Sequence, residues 1–198
     1  MRDVAEFGSN LVIPTDAPGV AVVTGDPASE AILGRIATDL QAARLGTLLL
    51  HVDRDRAPDR GVASVRDDLP AVVRGLAEDE RTRGLDCGVV ALGAAAGVAL
   101  RVAAEEPGLV SALVCYEGAF DGVEAAARTV VPTMLLIEDE RLEEANQAVL
   151  DHLQGPKELQ VLRAVRRADE ERLERMVTAT AAWLGHHLTT RGDYPRTP

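Results

Sequence analysis

The stretch Val89-Val90-Ala91-Leu92-Gly93-Ala94-Ala95-Ala96-Gly97-Val98-Ala99 decides how the rest of the chain is read. It opens with apolar residues in an unbroken run, the pattern of a strand buried on both faces of a sheet. Two glycines four positions apart then enclose only alanines, and residues 95–105 continue with helical spacing. A buried strand running through a tight turn into a helix is the first half of a βαβ unit.

Working outward, the same alternation recurs. Upstream, Leu11-Val12-Ile13 reads as a short edge strand stopped by Pro14, and Val20-Ala21-Val22-Val23 and residues 47–52 as buried strands. Residues 27–44 have helical spacing with Ile32, Leu33, Ile36, Leu40 and Ala43 on one face, and residues 67–83 with Leu69, Val72, Val73 and Leu76 inward. The Asp-, Arg- and Pro-rich stretch 53–61 reads as a loop. Downstream, residues 110–115, 134–137 and 159–162 are predicted strands. Residues 138–153 and 168–188 are predicted helices, the last with Leu173, Met176, Val177 and Leu184 on its apolar face. Pro107-Gly108 and Gly155-Pro156 punctuate these elements, and the polar end 189–198 reads as a frayed tail. Strands alternating with helices predict an α/β fold, a three-layer αβα sandwich around a mainly parallel central sheet. No internal repeat or composition shift divides the 198 residues, so the expectation is one domain over 1–198.

Composition narrows the classes of function. Hydrophobic residues make up 46% of the chain and aromatics only 3%, so the core must be built mainly from Val, Leu and Ala. A formal net charge of −11, with Lys157 the only lysine, argues against nucleic acid and anionic membrane surfaces as partners. The acidic surface fits either a saline cytoplasm, where repulsion is screened within about 3 Å at 1 M salt, or a genome that favours Arg over Lys. No apolar run reaches membrane-spanning length, the N-terminus lacks a signal-peptide pattern, and Cys87 and Cys115 sit in or beside strand-like runs as buried thiols. The expected location is the cytoplasm.

The glycine spacing at 93 and 97 is that of the G-x-S-x-G elbow, in which a strand-to-helix turn projects a central nucleophile into a site. Here the central residue is Ala95, which has no hydroxyl or thiol with which to attack a carbonyl. The chain resembles the dienelactone hydrolase branch of the α/β-hydrolases along almost its whole length. The likeness rests on the Gly19-Val20-Ala21-Val22-Val23 strand entering a glycine turn, on Thr47-Leu48-Leu49-Leu50, and on the elbow itself. It continues through Ala103-Ala104-Glu105-Glu106-Pro107, Val110-Ser111-Ala112-Leu113-Val114, Val131-Pro132-Thr133-Met134-Leu135-Leu136-Ile137 and Gly155-Pro156-Lys157. It implies a compact α/β-hydrolase fold and, in ordinary members, ester-type hydrolysis by a nucleophile, a histidine and an acid.

This chain departs from that pattern at each position. Thr24-Gly25-Asp26 stands where relatives carry a His-Gly turn. The strand ending at Ile137 runs directly into Glu138-Asp139-Glu140, where relatives have a glycine-containing turn with the catalytic Asp. The loop where the resemblance puts the catalytic histidine, Arg163-Ala164-Val165-Arg166-Arg167-Ala168-Asp169, contains none. The expectation is therefore no catalytic residue of the Ser/Cys-His-Asp kind.

What the turns retain is binding capacity. The helix after the elbow opens with backbone N–H groups of Ala95, Ala96 and Gly97, and Gly25-Asp26 precedes a helix in a similar position, both suited to an anion or a carbonyl oxygen. His51, at a strand end near Asp53, and Glu117, just past Cys115, also fall at the expected crevice. The candidate ligand-binding set is Gly25, Asp26, His51, Ala95, Ala96 and Glu117. No motif has metal-ligand spacing, so neither metal nor cofactor is expected. Three functions follow: a degenerate hydrolase-fold protein that binds a small molecule or partner; a hydrolase with chemistry relocated to Cys115 or His51 with Asp26, Asp53 or Glu117; and a structural module of a homo-oligomer.

Overall fold

The computed structural model describes residues 10–26, 29–50, 61–106, 108–162 and 169–188. Among these residues seven strands form one sheet: β1 (Leu11–Val12), β2 (Gly19–Thr24), β3 (Gly46–Leu50), β4 (Asp86–Leu92), β5 (Ala112–Tyr116), β6 (Thr133–Ile137) and β7 (Lys157–Val161). Their order is β1-β3-β2-β4-β5-β6-β7, with every pairing parallel except β1 against β3. The two-residue β1, with Pro14 just beyond it, is an edge, as a strand next to proline must be.

Among the described residues five helices cover the sheet: α1 (Glu30–Ala42), α2 (Gly61–Glu78), α3 (Ala95–Glu105), α4 (Glu143–His152) and α5 (Asp169–His187). The period-2 geometry of the strands sends alternate residues to opposite faces, and each face has its own core. Val20, Val22, Val89, Ala91, Leu113, Cys115 and Leu135 pack with residues of α2, α3 and α4. Ala21, Val23, Val90, Leu92, Val114, Met134 and Leu136 pack with residues of α1 and α5. The result is the expected αβα sandwich.

Several boundaries and faces differ from the sequence reading. α2 starts at Gly61, earlier than expected, carries Pro70 within it, and ends at Glu78. α4 begins only at Glu143, after a 3-10 turn at Glu140–Leu142. On α1 the buried residues are Leu33, Ile36, Ala37 and Leu40, while Ile32 is 37% exposed and Ala43 is also exposed. The i, i+3, i+4, i+7 stripe thus passes through the small Ala37 instead of the larger Ile32. The expected loop 53–61 falls outside the described residues up to position 60, as does the tail 189–198.

The strand order fixes where a site belongs. From β2 the chain winds outward through α1 to β3, and from β3 it crosses back through α2 to β4 on the other side of β2. The carboxyl ends of β2 and β4 are therefore the switch point, where a crevice opens in parallel sheets of this kind.

Candidate functional site at the strand ends

Thr24-Gly25-Asp26 closes β2 and Gly93-Ala94-Ala95 follows β4, side by side at the switch point. A Cβ on Gly25 would lie 3.1 Å from the Leu92 side chain and 3.2 Å from that of Leu33, so glycine lets the two strand ends come close. Asp26 borders Gly93, with its Oδ2 3.3 Å from where a Cβ on that glycine would stand. Ser29 donates its backbone N–H and its hydroxyl to Asp26 Oδ1, both at 3.0 Å. Asp26 thereby caps the entry to α1. Thr24 is fully buried and its Oγ1 has no hydrogen-bond partner among the described residues.

The elbow departs from the expectation that its central residue projects into the site. The left-handed backbone is at Gly93, with φ +60°, and Ala95 is already the first residue of α3. Ala95 and Ala96 are both 0% exposed and belong to the core beneath the helix. Their methyl groups face that core, so only their backbone N–H groups, the groups the sequence offers, bear on a ligand. The N–H groups are also less available than the sequence implies, because Ala96 donates to the Gly93 carbonyl at 3.1 Å.

The chain after β5 roofs this turn. Gly93 donates its N–H to the Tyr116 carbonyl at 2.9 Å, and Ala119 donates to the Gly93 carbonyl at 3.2 Å. A Cβ on Gly97 would sit 2.9 Å from the Ala119 carbonyl oxygen, and one on Gly118 would sit 3.3 Å from the Ala96 side chain. Asn146, fully buried on α4, holds the roof by donating from Nδ2 to the Gly118 carbonyl at 3.2 Å and to the Leu142 carbonyl at 2.9 Å. Its place in the 142, 146, 149, 153 stripe of otherwise apolar residues is the sequence signal that could have found it.

Glu117 holds the next turn. Its backbone is left-handed, with φ +50°, and its Oε1 accepts the backbone N–H groups of Glu138 and, at 3.2 Å, of Asp139. Glu138 in turn accepts the Tyr116 hydroxyl and pairs with Arg172 of α5 at 3.1 Å. The acids past β5 and β6 are thus engaged in tying the strand ends to α5. Burial, reinforced by the hydrogen bond to Glu138, pushes the Tyr116 hydroxyl well above its ordinary pKa. Arg141 beside Asp139 holds that carboxyl down to about 2. The sequence reading placed Glu138 in the acidic run where relatives have the catalytic Asp, but not its partnership with Tyr116 and Arg172, which joins segments remote along the chain.

Cys115 is fully buried, and that burial raises its pKa far from the range of a nucleophilic thiolate. Cys87 is likewise buried, near the opposite end of the sheet. His51, Asp53 and residues 163–168, where the resemblance puts a catalytic histidine, lie outside the described residues. Among the described residues no three His, Cys, Asp or Glu side chains cluster as metal ligands, and no helix is long and apolar enough to cross a membrane.

No family profile and no curated protein sequence matches the chain. Solved structures do. A dienelactone hydrolase from Anabaena variabilis is 26% identical, with a TM-score of 0.80 over 90% of each chain. Est1E from Butyrivibrio proteoclasticus, in a structure with ferulic acid bound, is 13% identical, with a TM-score of 0.74 over 89% of this chain and 93% of its own. A monoacylglycerol lipase from Paleococcus ferrophilus is 11% identical, with a TM-score of 0.67 over 89% of this chain and 98% of its own. Strand order, elbow and these likenesses together give the chain the α/β-hydrolase fold, in the form taken by dienelactone hydrolases.

Proposed function

We propose that this chain keeps the hydrolase architecture without its bond-cleaving chemistry, and acts by binding a small molecule. The observation that carries the reading is position 95, where an alanine with no exposed surface begins a regular helix in place of an exposed nucleophile. An elbow that works must present its central side chain on a strained turn. Here the turn's left-handed residue is a glycine, which takes that conformation at little cost. Glu117 and Glu138 at the crevice support the same view, since each is engaged in holding the turns.

Hydrolysis by relocated groups is the competing reading, and Asp26, beside Gly93 at the switch point, is the residue that favours it. Turnover of p-nitrophenyl acetate and labelling by a fluorophosphonate probe decide between the two. The expected result is hydrolysis no faster than in buffer and no label. Turnover that disappears in Asp26→Asn would establish the competing reading. Ala95→Ser sharpens the test: burying a hydroxyl without a partner should cost about 1–3 kcal/mol of stability, and the variant should remain inactive because a nucleophile without a base is weak.

A further inference from the structure

A cleft of about 270 Å³ opens beside the roofed elbow, between α2, α3 and the chain from Phe120 to Arg128. Three arginines line it: Arg66 from α2, Arg101 from α3 and Arg128 from a 3-10 turn. None of them makes an ion pair or a side-chain hydrogen bond to another described residue. Elsewhere Arg35, Arg74, Arg81, Arg141 and Arg172 each hold a carboxylate. Arg44 and Arg83 are likewise without a side-chain partner among the described residues, but neither lines this cleft; what sets the cleft apart in a chain of net charge −11 is that three such guanidinium groups gather around one cavity. Their backbone positions are fixed by the core, because Val65, Leu100, Val102, Ala126 and Thr129 beside them are all buried. The Thr129 hydroxyl donates to the Ala125 carbonyl at 2.8 Å and holds the turn that presents Arg128.

From this geometry we infer that the cleft binds a small organic molecule bearing a doubly charged oxyanion, of the phosphate-monoester kind. Guanidinium groups present planar forks of donors that match phosphate oxygens, and they are less strongly hydrated than an ammonium. Leu100 and Phe120 supply an apolar wall for the body of the ligand. Asp121 and Glu124 also line the cleft, but neither is paired with an arginine, and the Glu124 carboxylate lies against the backbone of Gly122. The inference deepens the binding role proposed above and rests on it for its biological meaning, while its test is independent of hydrolysis.

Calorimetric titration of the full chain with phenyl phosphate is the direct experiment, with phenylacetate as the singly charged comparison and benzyl alcohol as the neutral one. Saturable binding of phenyl phosphate is expected, at least tenfold tighter than phenylacetate, with no saturation by benzyl alcohol up to about 10 mM. Arg101→Gln and Arg128→Gln should each weaken phenyl phosphate at least tenfold with unchanged circular dichroism, and Arg141→Gln, outside the lining and paired with Asp139, should not. Binding should weaken as salt rises. Equal binding of phenylacetate overturns the doubly charged assignment. Equal binding of benzyl alcohol, no binding of phenyl phosphate, or indifference to the arginine substitutions overturns the site. Esterase activity found alongside phenyl phosphate binding would instead overturn the proposed function and leave this inference standing.

Discussion

The turns after β4 and β6 face the same edge of the sheet, yet opposite means hold them. After β4, the Gly93–Gly97 turn is secured by backbone hydrogen bonds and by methyl groups packed against a close-fitting roof. After β6, the Glu138–Asp139 turn is secured by side-chain charge: Glu117 caps its N–H groups, and Tyr116 and Arg172 engage Glu138. The first turn is sensitive to volume and the second to hydrogen-bonding capacity. On the function proposed above, neither turn supplies an uncommitted reactive group: Glu117 and Glu138 are engaged in the second, and the first carries only glycine and alanine.

The sharpest way to break that contrast is to add volume under the roof. Gly97→Val places carbon where the Ala119 carbonyl oxygen already stands 2.9 Å from the first added atom. Because that oxygen belongs to the backbone, relief requires lifting the roof, and the loss of stability should be about 3 kcal/mol, read as a lower denaturant midpoint. Gly34→Ala on α1 is the control. Nothing lies within 4 Å of its added atom, so it should gain about 0.5–1 kcal/mol from helix propensity. A similar loss for both would mean that the roof does not bear on the elbow.

A smaller effect is expected at the charged turn. Glu117→Ala removes the acceptor for the Glu138 and Asp139 N–H groups and should cost about 1–2 kcal/mol, the lower part of the range for charge-assisted bonds at a half-exposed site. Glu117→Gly removes the same acceptor and also relieves the φ of +50°, so it should be less destabilising than the alanine variant by about 1 kcal/mol. Equal losses in thermal denaturation would show that the left-handed backbone there is without cost.

The two turns were unequally legible in sequence. Gly93 and Gly97, four apart after a buried strand, announce a strand–turn–helix by themselves, because their reasons are local: backbone freedom and close packing. Which residue of the turn adopts positive φ was not legible, since that depends on the roof that Ala119 and Asn146 build from remote segments. Glu138 and Asp139 read naturally as the acidic first turn of a helix. They instead form a connection, because Tyr116, Glu117 and Arg172 supply partners that no local pattern reveals. The same limit hid the arginine cleft, whose residues come from α2, α3 and a 3-10 turn.

The smallest expected effect tests the interior between the two turns, where β5 carries Cys115. Its thiol is completely buried, and desolvation alone raises its pKa. The unfolded chain releases that proton near pH 8.5, whereas the folded chain keeps it, so above that point the folded state binds more protons than the unfolded one. Stability from this group is therefore fully present below about pH 8.5 and declines as pH rises past it. Tyr116 acts in the same direction from about pH 10. Denaturation midpoints at neutral pH and at about pH 9.5 should differ, and Cys115→Ala should reduce the difference while lowering both values through the cavity it leaves. Iodoacetamide supplies a second readout: Cys115 should resist labelling until the chain is unfolded. Rapid labelling of the native protein at neutral pH would mean that the roof over the elbow opens readily, and would remove the basis for treating the two turns as separately sealed.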